Sequence, residues 1–362
     1  MDIINDRRRL HRIPELQWDL PLTAAYVRQS LEKCKCQVFS PVGNAVCAYF
    51  DFGAEKTLAF RADMDALPIE EQSGKEYRSA HPGKMHACGH DGHMAILLEL
   101  ARRLDQKKQL PHNVLLIFQP AEESPGGARI ICNTGVLEEK RVKAVFGLHL
   151  WPGLAKGEVF CREEELMASA CEVTADIYGK SSHIGNAAAG IDATAAAVEF
   201  YRLVRQTEAD FPPEVFRLLN FGQLHSGTAR NALSAHAHLE GTLRAFQEDV
   251  LEKLRSGLFA AAKTVEAQFG CTVTITMGDG YPAVMNDPAL LRRVMDVATV
   301  KILDRPSMTA EDFSWYQRYA GGVFFFLGLG DVPALHSANF DFDDSILEKG
   351  ADFFEKLAEN FQ

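Results

Sequence analysis

Four apolar runs, Lys56–Phe60, Asn113–Phe118, Ala144–Leu148 and Gly322–Leu329, recur along this chain, and stretches with helical spacing separate them. Strands that are apolar on both faces have to be covered on both faces. The pattern therefore predicts an α/β fold with a mostly parallel sheet between layers of helices. Candidate helices are Pro21–Lys33, Gly92–Leu104, Pro288–Val300 and Asp344–Asn360. The middle of the chain has another rhythm. Cys171–Tyr178 alternates as a half-exposed strand does, Gly190–Arg205 reads as a helix, and Phe216–Leu224 and Ser234–Phe246 read as strands. Val250–Phe269 is a long amphipathic helix, and Cys271–Met277 is a strand with Val273, Ile275 and Met277 on one side. Strand, helix, strand, strand, helix, strand is the ferredoxin-like order. At 362 residues the chain is long enough for two domains. The expected architecture is an α/β domain made of residues 1–168 and 280–362, with a ferredoxin-like α+β domain, residues 169–279, inserted into it.

Charge narrows the function classes. With 38 basic against 49 acidic residues the formal net charge is −11, the wrong sign for a nucleic-acid binder or for adsorption to anionic lipid. No apolar run approaches the roughly 18 residues that span a bilayer. Met1–Leu10 is polar and Arg-rich with no apolar stretch behind it, so no secretory signal is expected. The eight cysteines show no disulfide framework, and a reducing, cytoplasmic location is the simplest expectation.

The chemistry-bearing residues fall where strands end. Asp63 and Asp65 follow the run ending near Phe60, and Glu122 and Glu123 follow the run ending near Phe118. His149 closes the third run, and His336 follows the fourth. Ligands of open α/β sheets bind outside the carboxyl ends of strands, so four segments deliver hydrolytic side chains to one rim. A fifth segment, His86-Ala87-Cys88-Gly89-His90-Asp91-Gly92-His93, precedes a helix, and its glycines let Cys88 and His90 point at one site. Thiolate, imidazole and carboxylate together suit Zn²⁺, Mn²⁺, Co²⁺ or Ni²⁺ better than Mg²⁺ or Ca²⁺. A zinc staple would pair two short ligand motifs, and no second Cys/His pair is present. In Glu122-Glu123, adjacent carboxylates on an extended turn diverge, so one can ligate while the other faces substrate. A solvated acidic pair is the competing reading, and the buried strand and Gly/Pro turn around the pair argue against it.

These blocks resemble peptidase family M20, the metallopeptidase family that contains the aminoacylases, and within it the branch of N-acyl-amino-acid amidohydrolases. The similarity is carried by Arg9-Leu10-His11 with Pro14-Glu15-Leu16, Arg61–Pro68, Met85–His93, Phe118–Glu123, Gly147-Leu148-His149, Gly241–Arg244 and Leu335-His336. The resemblance implies a metal-binding domain with a lid domain, a homodimer formed through the lid, and two divalent metal ions. It implies Cys88, His90, Glu123, His149 and His336 as ligands, Glu122 as general base and acid, and Asp65 as the aspartate that orients the centre. Related branches carry a histidine where this chain has Asp63. In the lid, His183, Asn231 and Arg244 fall on positions similar to substrate-contacting residues. The chain departs from the pattern at Ser181-Ser182 and at Asn186–Ala189, and Leu20 stands where an acidic residue is expected. Bland alternatives remain for the lid: His183 as a turn cap, and Arg244, His236, His238 and Glu240 as one solvated sheet face. His93 reads as helix packing or support for a ligand, and Glu311-Asp312 as a block near the site or a charged helix start. The implied activity is removal of an acyl group, acetyl first, from an N-acyl amino acid. N-acetyldiaminopimelate deacetylation, suggested by Phe118–Ala128, and dipeptidase or carboxypeptidase action compete with it. A non-catalytic binding protein on the same fold would lack the base or some ligands, and every such position is filled here.

Overall fold

In the computed structural model, which describes residues 2–362, the chain divides into two units. One runs to Leu166 and resumes over Met285–Arg305 and Asp312–Gln362; the other comprises Met167–Val284 with Pro306–Glu311. The first unit opens with α1 (Ile3–His11) and α2 (Pro21–Leu31), then β1 (Gln37–Phe39), β2 (Val46–Phe50), β3 (Thr57–Asp63) and α3 (His90–Asp105). There follow β4 (Asn113–Gln119), α4 (Ala128–Asn133), α5 (Val136–Glu139), β5 (Val142–Pro152) and β6 (Val159–Cys161). β7 (Glu164–Met167) leads into the second unit, which holds β8 (Cys171–Tyr178), α6 (Ala193–Ala209), β9 (Arg217–Ser226), β10 (His236–Ala245), α7 (Glu248–Phe269) and β11 (Thr272–Met277). β12 (Val284–Asn286) leads back to α8 (Pro288–Val297), β13 (Lys301–Ile302), α9 (Ser314–Tyr319), β14 (Gly321–Gly330) and α10 (Leu347–Asn360).

The first unit is built on an eight-stranded sheet of order β1-β2-β4-β3-β5-β14-β6-β13. Its centre is parallel: β3 pairs with β4 and β5, and β5 with β14. β1 and β2 are added antiparallel on one flank, and β6 runs antiparallel to β14 on the other. The four apolar runs are the four central strands, and every residue of β3 and β4 is buried. Aromatic rings from successive strands meet the closing helix: Phe60 lies 5.7 Å from Phe146 and 5.0 Å from Phe354 between ring centroids.

The second unit has a four-stranded antiparallel sheet of order β11-β8-β10-β9. Val173, Ala175, Ile177, Leu239 and Leu243 turn one face of that sheet toward Phe200 of α6 and Leu254 and Leu258 of α7. Val273, Ile275 and Met277 pack on the same core, as their alternation requires.

Two expectations are corrected, and the structure adds a helix. The polar N-terminus contains a helix, α1, whose buried face includes Asp6, Arg7 and His11 as well as Ile3 and Leu10; the ionic half of that face hid its periodicity. His149 lies inside β5, which continues to Pro152. Pro306–Glu311 belongs with the second unit, because Ala168 N–H is bonded to the Ser307 and Thr309 carbonyls and Arg244 donates to the Met308 carbonyl.

Candidate metal centre

Five of the chemistry-bearing segments converge at the carboxyl end of the parallel strands, all within the first unit. Cys88 and His90 come from the turn into α3, where Gly89 adopts a left-handed φ of +87° that lets the chain reverse between them. Glu122 and Glu123 follow β4, and Ala121 before them is itself left-handed at φ +58°. His149 comes from β5. His336 follows β14 at φ +65°, and its N–H is tied to the Ala87 carbonyl beside Cys88 at 2.8 Å. Non-glycine residues held at positive φ on two of these segments mark a backbone whose surroundings dictate its shape.

Aspartate 65 organises the carboxylate turn. Its Oδ1 accepts from Glu122 N at 2.9 Å and its Oδ2 from Glu123 N at 3.1 Å, which aims the two neighbouring side chains. Burial first, then the nearby charge of Glu123, pushes the Asp65 carboxyl well above its usual range.

Hydrogen bonds also fix the imidazoles. His90 Nδ1 lies 2.7 Å from the Asp65 carbonyl and His149 Nδ1 lies 2.8 Å from the Leu150 carbonyl. A carbonyl only accepts, so both Nδ1 atoms carry the proton and both Nε2 lone pairs remain for another partner. His90 Nε2 is buried without any hydrogen bond, as is Glu123 Oε1. His149 Nε2 faces Cys88 Sγ at 3.4 Å, His336 Nε2 faces Glu123 Oε1 at 3.4 Å, and His90 Nε2 stands 4.0 Å from both Glu122 Oε2 and Glu123 Oε1. Such gaps are those between neighbouring donor atoms around one ion with bonds of about 2.0–2.3 Å. Cys88, His90 and His149 form one such group, and Cys88, Glu123 and His336 form another, with Cys88 common to both. Buried, unpartnered lone pairs in two groups that share a thiol fit two divalent ions. Burial and then the Glu123 and Glu122 charges push the Cys88 thiol up, whereas a coordinated thiol loses its proton. Although burial opposes its ionisation, the His336 ring 3.4 Å away and the charge of His90 hold the Glu123 carboxyl below its ordinary value. The Glu123 carboxylate in turn raises His336.

Asp63, His90 and His93 also lie close enough to surround an ion. Asp63 is engaged, however: its Oδ2 accepts from Arg61 Nη1 at 2.8 Å and its Oδ1 lies 2.6 Å from His93 Nδ1. His93 Nε2 accepts from Leu150 N at 2.9 Å, leaving it no lone pair for metal. The sequence named Asp312 as near the site but not its partners beneath the rim, where Arg61 Nη2 and Gln119 Nε2 bond Asp312 at 2.8 Å and Asp312 accepts from Gly127 and Ala128 N–H at 2.9 Å. The available signal was Arg61 itself, since a lone arginine inside an apolar strand has to find carboxylates.

In the second unit His183 and Asn231 are neighbours: Ile184 N donates to the Asn231 carbonyl, and His183 pairs with Ala232. The His183 ring accepts from Gly185 N at 3.1 Å and so caps a turn. Arg244 stands near the opposite end of β10, about 25 Å along the strand from His236. Its Nη1 donates to the Met308 carbonyl at 2.7 Å, and its Nε is buried without a hydrogen bond. His236 and His238 share Asp176 on the polar sheet face. A depression of about 630 Å³ in the first unit lies at the amino end of the strands, lined by Lys56, Arg141 and Lys143 among others; it holds none of the donors above, and donor chemistry rather than volume locates the centre.

The sequence pattern of peptidase family M20/M25/M40 matches residues 59–360. An uncharacterized hydrolase of Staphylococcus haemolyticus is 34% identical over 98% of this chain and 97% of its own length. The crystal structure of a dinuclear metal binding peptidase from the M20 family of Bacillus subtilis superposes with a TM-score of 0.86 at 30% identity, covering 98% of this chain and 96% of that one. An aminobenzoyl-glutamate utilization protein of Klebsiella pneumoniae, 21% identical with a TM-score of 0.70 over 98% of this chain and 94% of its own, shares the fold.

Proposed function

This chain belongs to peptidase family M20/M25/M40, and we propose that within it the protein is a metal-dependent amidohydrolase removing an acyl group, acetyl first, from an N-acyl amino acid. The observation that carries this reading is the pair of donor groups sharing Cys88 with the Glu122 carboxylate beside them. Cys88, His90 and His149 would hold one ion, and Cys88, Glu123 and His336 the other. Two such ions, when bound, supply a water of lowered pKa and a Lewis acid for the scissile carbonyl.

The residues of this chain divide the remaining work. Glu122 takes the proton of the attacking water as its oxygen bonds to the carbonyl carbon. It returns that proton to the nitrogen as the C–N bond breaks, leaving a carboxylic acid and a free amine. Asp65 positions Glu122 through the backbone. Burial alone lowers Arg244, and its unpartnered Nε suits it to receive a substrate carboxylate. His183 and Asn231 lie about 25 Å away along β10, too far to touch the same small substrate in one protomer, so their proposed contact is with substrate held by the partner of the homodimer. A homodimer formed through that unit is part of the proposal, supported by β9, which is an edge of its sheet with Gln223, Leu224 and His225 exposed. The eight free cysteines suit a reducing, cytoplasmic location, and no helix among the described residues is long and apolar enough to cross a membrane.

A product assay on protein reconstituted separately with Zn²⁺, Mn²⁺, Co²⁺ and Ni²⁺ tests the reading, using N-acetyl amino acids, N-acetyldiaminopimelate and dipeptides. Acetate released from N-acetyl amino acids and lost on chelation is the expected result. N-acetyldiaminopimelate as the preferred substrate would favour the second reading, prompted by the Phe118–Ala128 run. Hydrolysis of dipeptides alone, or full activity in chelator, would overturn the proposal.

A further inference from the structure

We propose that His93, which ligates nothing, is a positioning residue that sets the direction of the His149 ring; this rests on the two-ion reading above. β3 pairs with β5 only as far as Arg61 opposite Gly147. The N–H of Leu150, three residues further, has no β3 residue opposite it. His93 Nε2 takes that N–H at 2.9 Å, so the side chain from α3 stands in for a strand. The carbonyl of the same Leu150 residue receives His149 Nδ1 at 2.8 Å. One residue, Leu150, is thus held at its N–H by His93 while its C=O aims His149 Nε2 at Cys88 Sγ.

The arrangement works only for one tautomer of His93. An Nε2 that accepts from Leu150 leaves the proton on Nδ1, and Nδ1 lies 2.6 Å from Asp63 Oδ1. Asp63 is in turn held by Arg61 Nη1, and Arg61 by Gln119 and Asp312, every bond at 2.8 Å. All of these side chains are buried, so no water competes for the bonds. The His93 and His149 rings meet edge to face with centroids 4.7 Å apart, which leaves little room for His149 to swing.

The two nitrogens of His93 can be replaced separately. Asparagine at 93 reaches only the Nδ1 position and can still donate to Asp63. Glutamine reaches the Nε2 position, where its carbonyl can accept from Leu150. The experiment titrates metal-free native protein, His93→Asn and His93→Gln with Co²⁺, following the visible and near-ultraviolet cobalt absorption and the heat of binding. Far-UV circular dichroism and melting of the metal-free proteins check folding. Native protein should bind two equivalents. In His93→Asn one equivalent should weaken by about 10- to 100-fold with a changed cobalt spectrum, the size usual for groups that orient a ligand. His93→Gln should stay within about threefold of native. Native-like binding by His93→Asn, or an equal loss in both variants, overturns the proposal. Should His93→Asn fail to fold, the affinity of His93→Gln decides alone: a native value supports the proposal and a tenfold loss overturns it. Fewer than two equivalents bound by native protein would instead sink the two-ion reading.

Discussion

Glu122 owes its place to groups outside its own side chain. The Asp65 carboxylate fixes its backbone N–H, and Ala121 before it sits at positive φ. Its neighbour Glu123 is aimed at Cys88 and His336 by the other oxygen of the same aspartate. Removing the Glu122 carboxylate should therefore leave the ions in place and remove proton transfer. Glu122→Ala is expected to bind two metal equivalents while turnover falls by about 10²- to 10⁴-fold, the usual contribution of a general base; near-normal turnover would take Glu122 out of this role. The sequence exposed Glu122 and Glu123 because an acidic pair after an apolar strand is anomalous. It could not expose Arg61 and Asp312 as partners, because 251 residues separate them in the chain.

Among elements, α1 and α3 show how charge can replace apolar packing. Arg7 is fully buried and bonds Asp91, Asp344 and Asp341 at 2.9, 2.8 and 2.7 Å, which clamps α1 to the first turn of the helix that carries His90. His11 adds bonds to Asp91 at 2.8 Å and Glu71 at 3.3 Å. Burial works against a charged ring there, but the Asp91 carboxylate overrides it and raises His11 to about 9. Because the folded state holds this proton more tightly, the stabilisation is complete below the unfolded value near 6.5 and is lost as pH rises through about 9. Native protein should lose stability relative to His11→Gln across that window, by an amount of order 3 kcal/mol, measured by denaturant melts at several pH values. A gap that is flat with pH would contradict the charged ring. Packing sets the limit at Gly92 of α3, where a Cβ would lie 2.6 Å from Leu150 Cδ1 and 2.9 Å from Phe342 Cζ. Gly92→Ala should cost about 1–3 kcal/mol and disturb the Leu150 segment that follows His149, seen as a lower melting temperature together with weaker metal binding.

At the scale of the whole molecule, all five donors lie in the unit that contains both chain ends. Ions bound there stabilise that unit, by about 2.7 kcal/mol for each site at a free ion concentration a hundred times its dissociation constant. Calorimetry with and without chelator should show the transition of the first unit falling on metal removal while that of the second stays in place; a melting profile indifferent to chelator would count against a resident metal centre. Element order and sheet type were legible without coordinates, because apolar runs and their periods report which faces are covered. The His/Cys block and the Glu pair were legible because such residues are out of place in their surroundings. Three things waited for the tertiary structure: the pairing of Cys88 with both donor groups, the tautomers of His90, His93 and His149, and the membership of Pro306–Glu311 in the second unit. Local sequence governs the backbone and the burial pattern of one segment. Bonds between segments hundreds of residues apart depend on distances that only the folded chain sets.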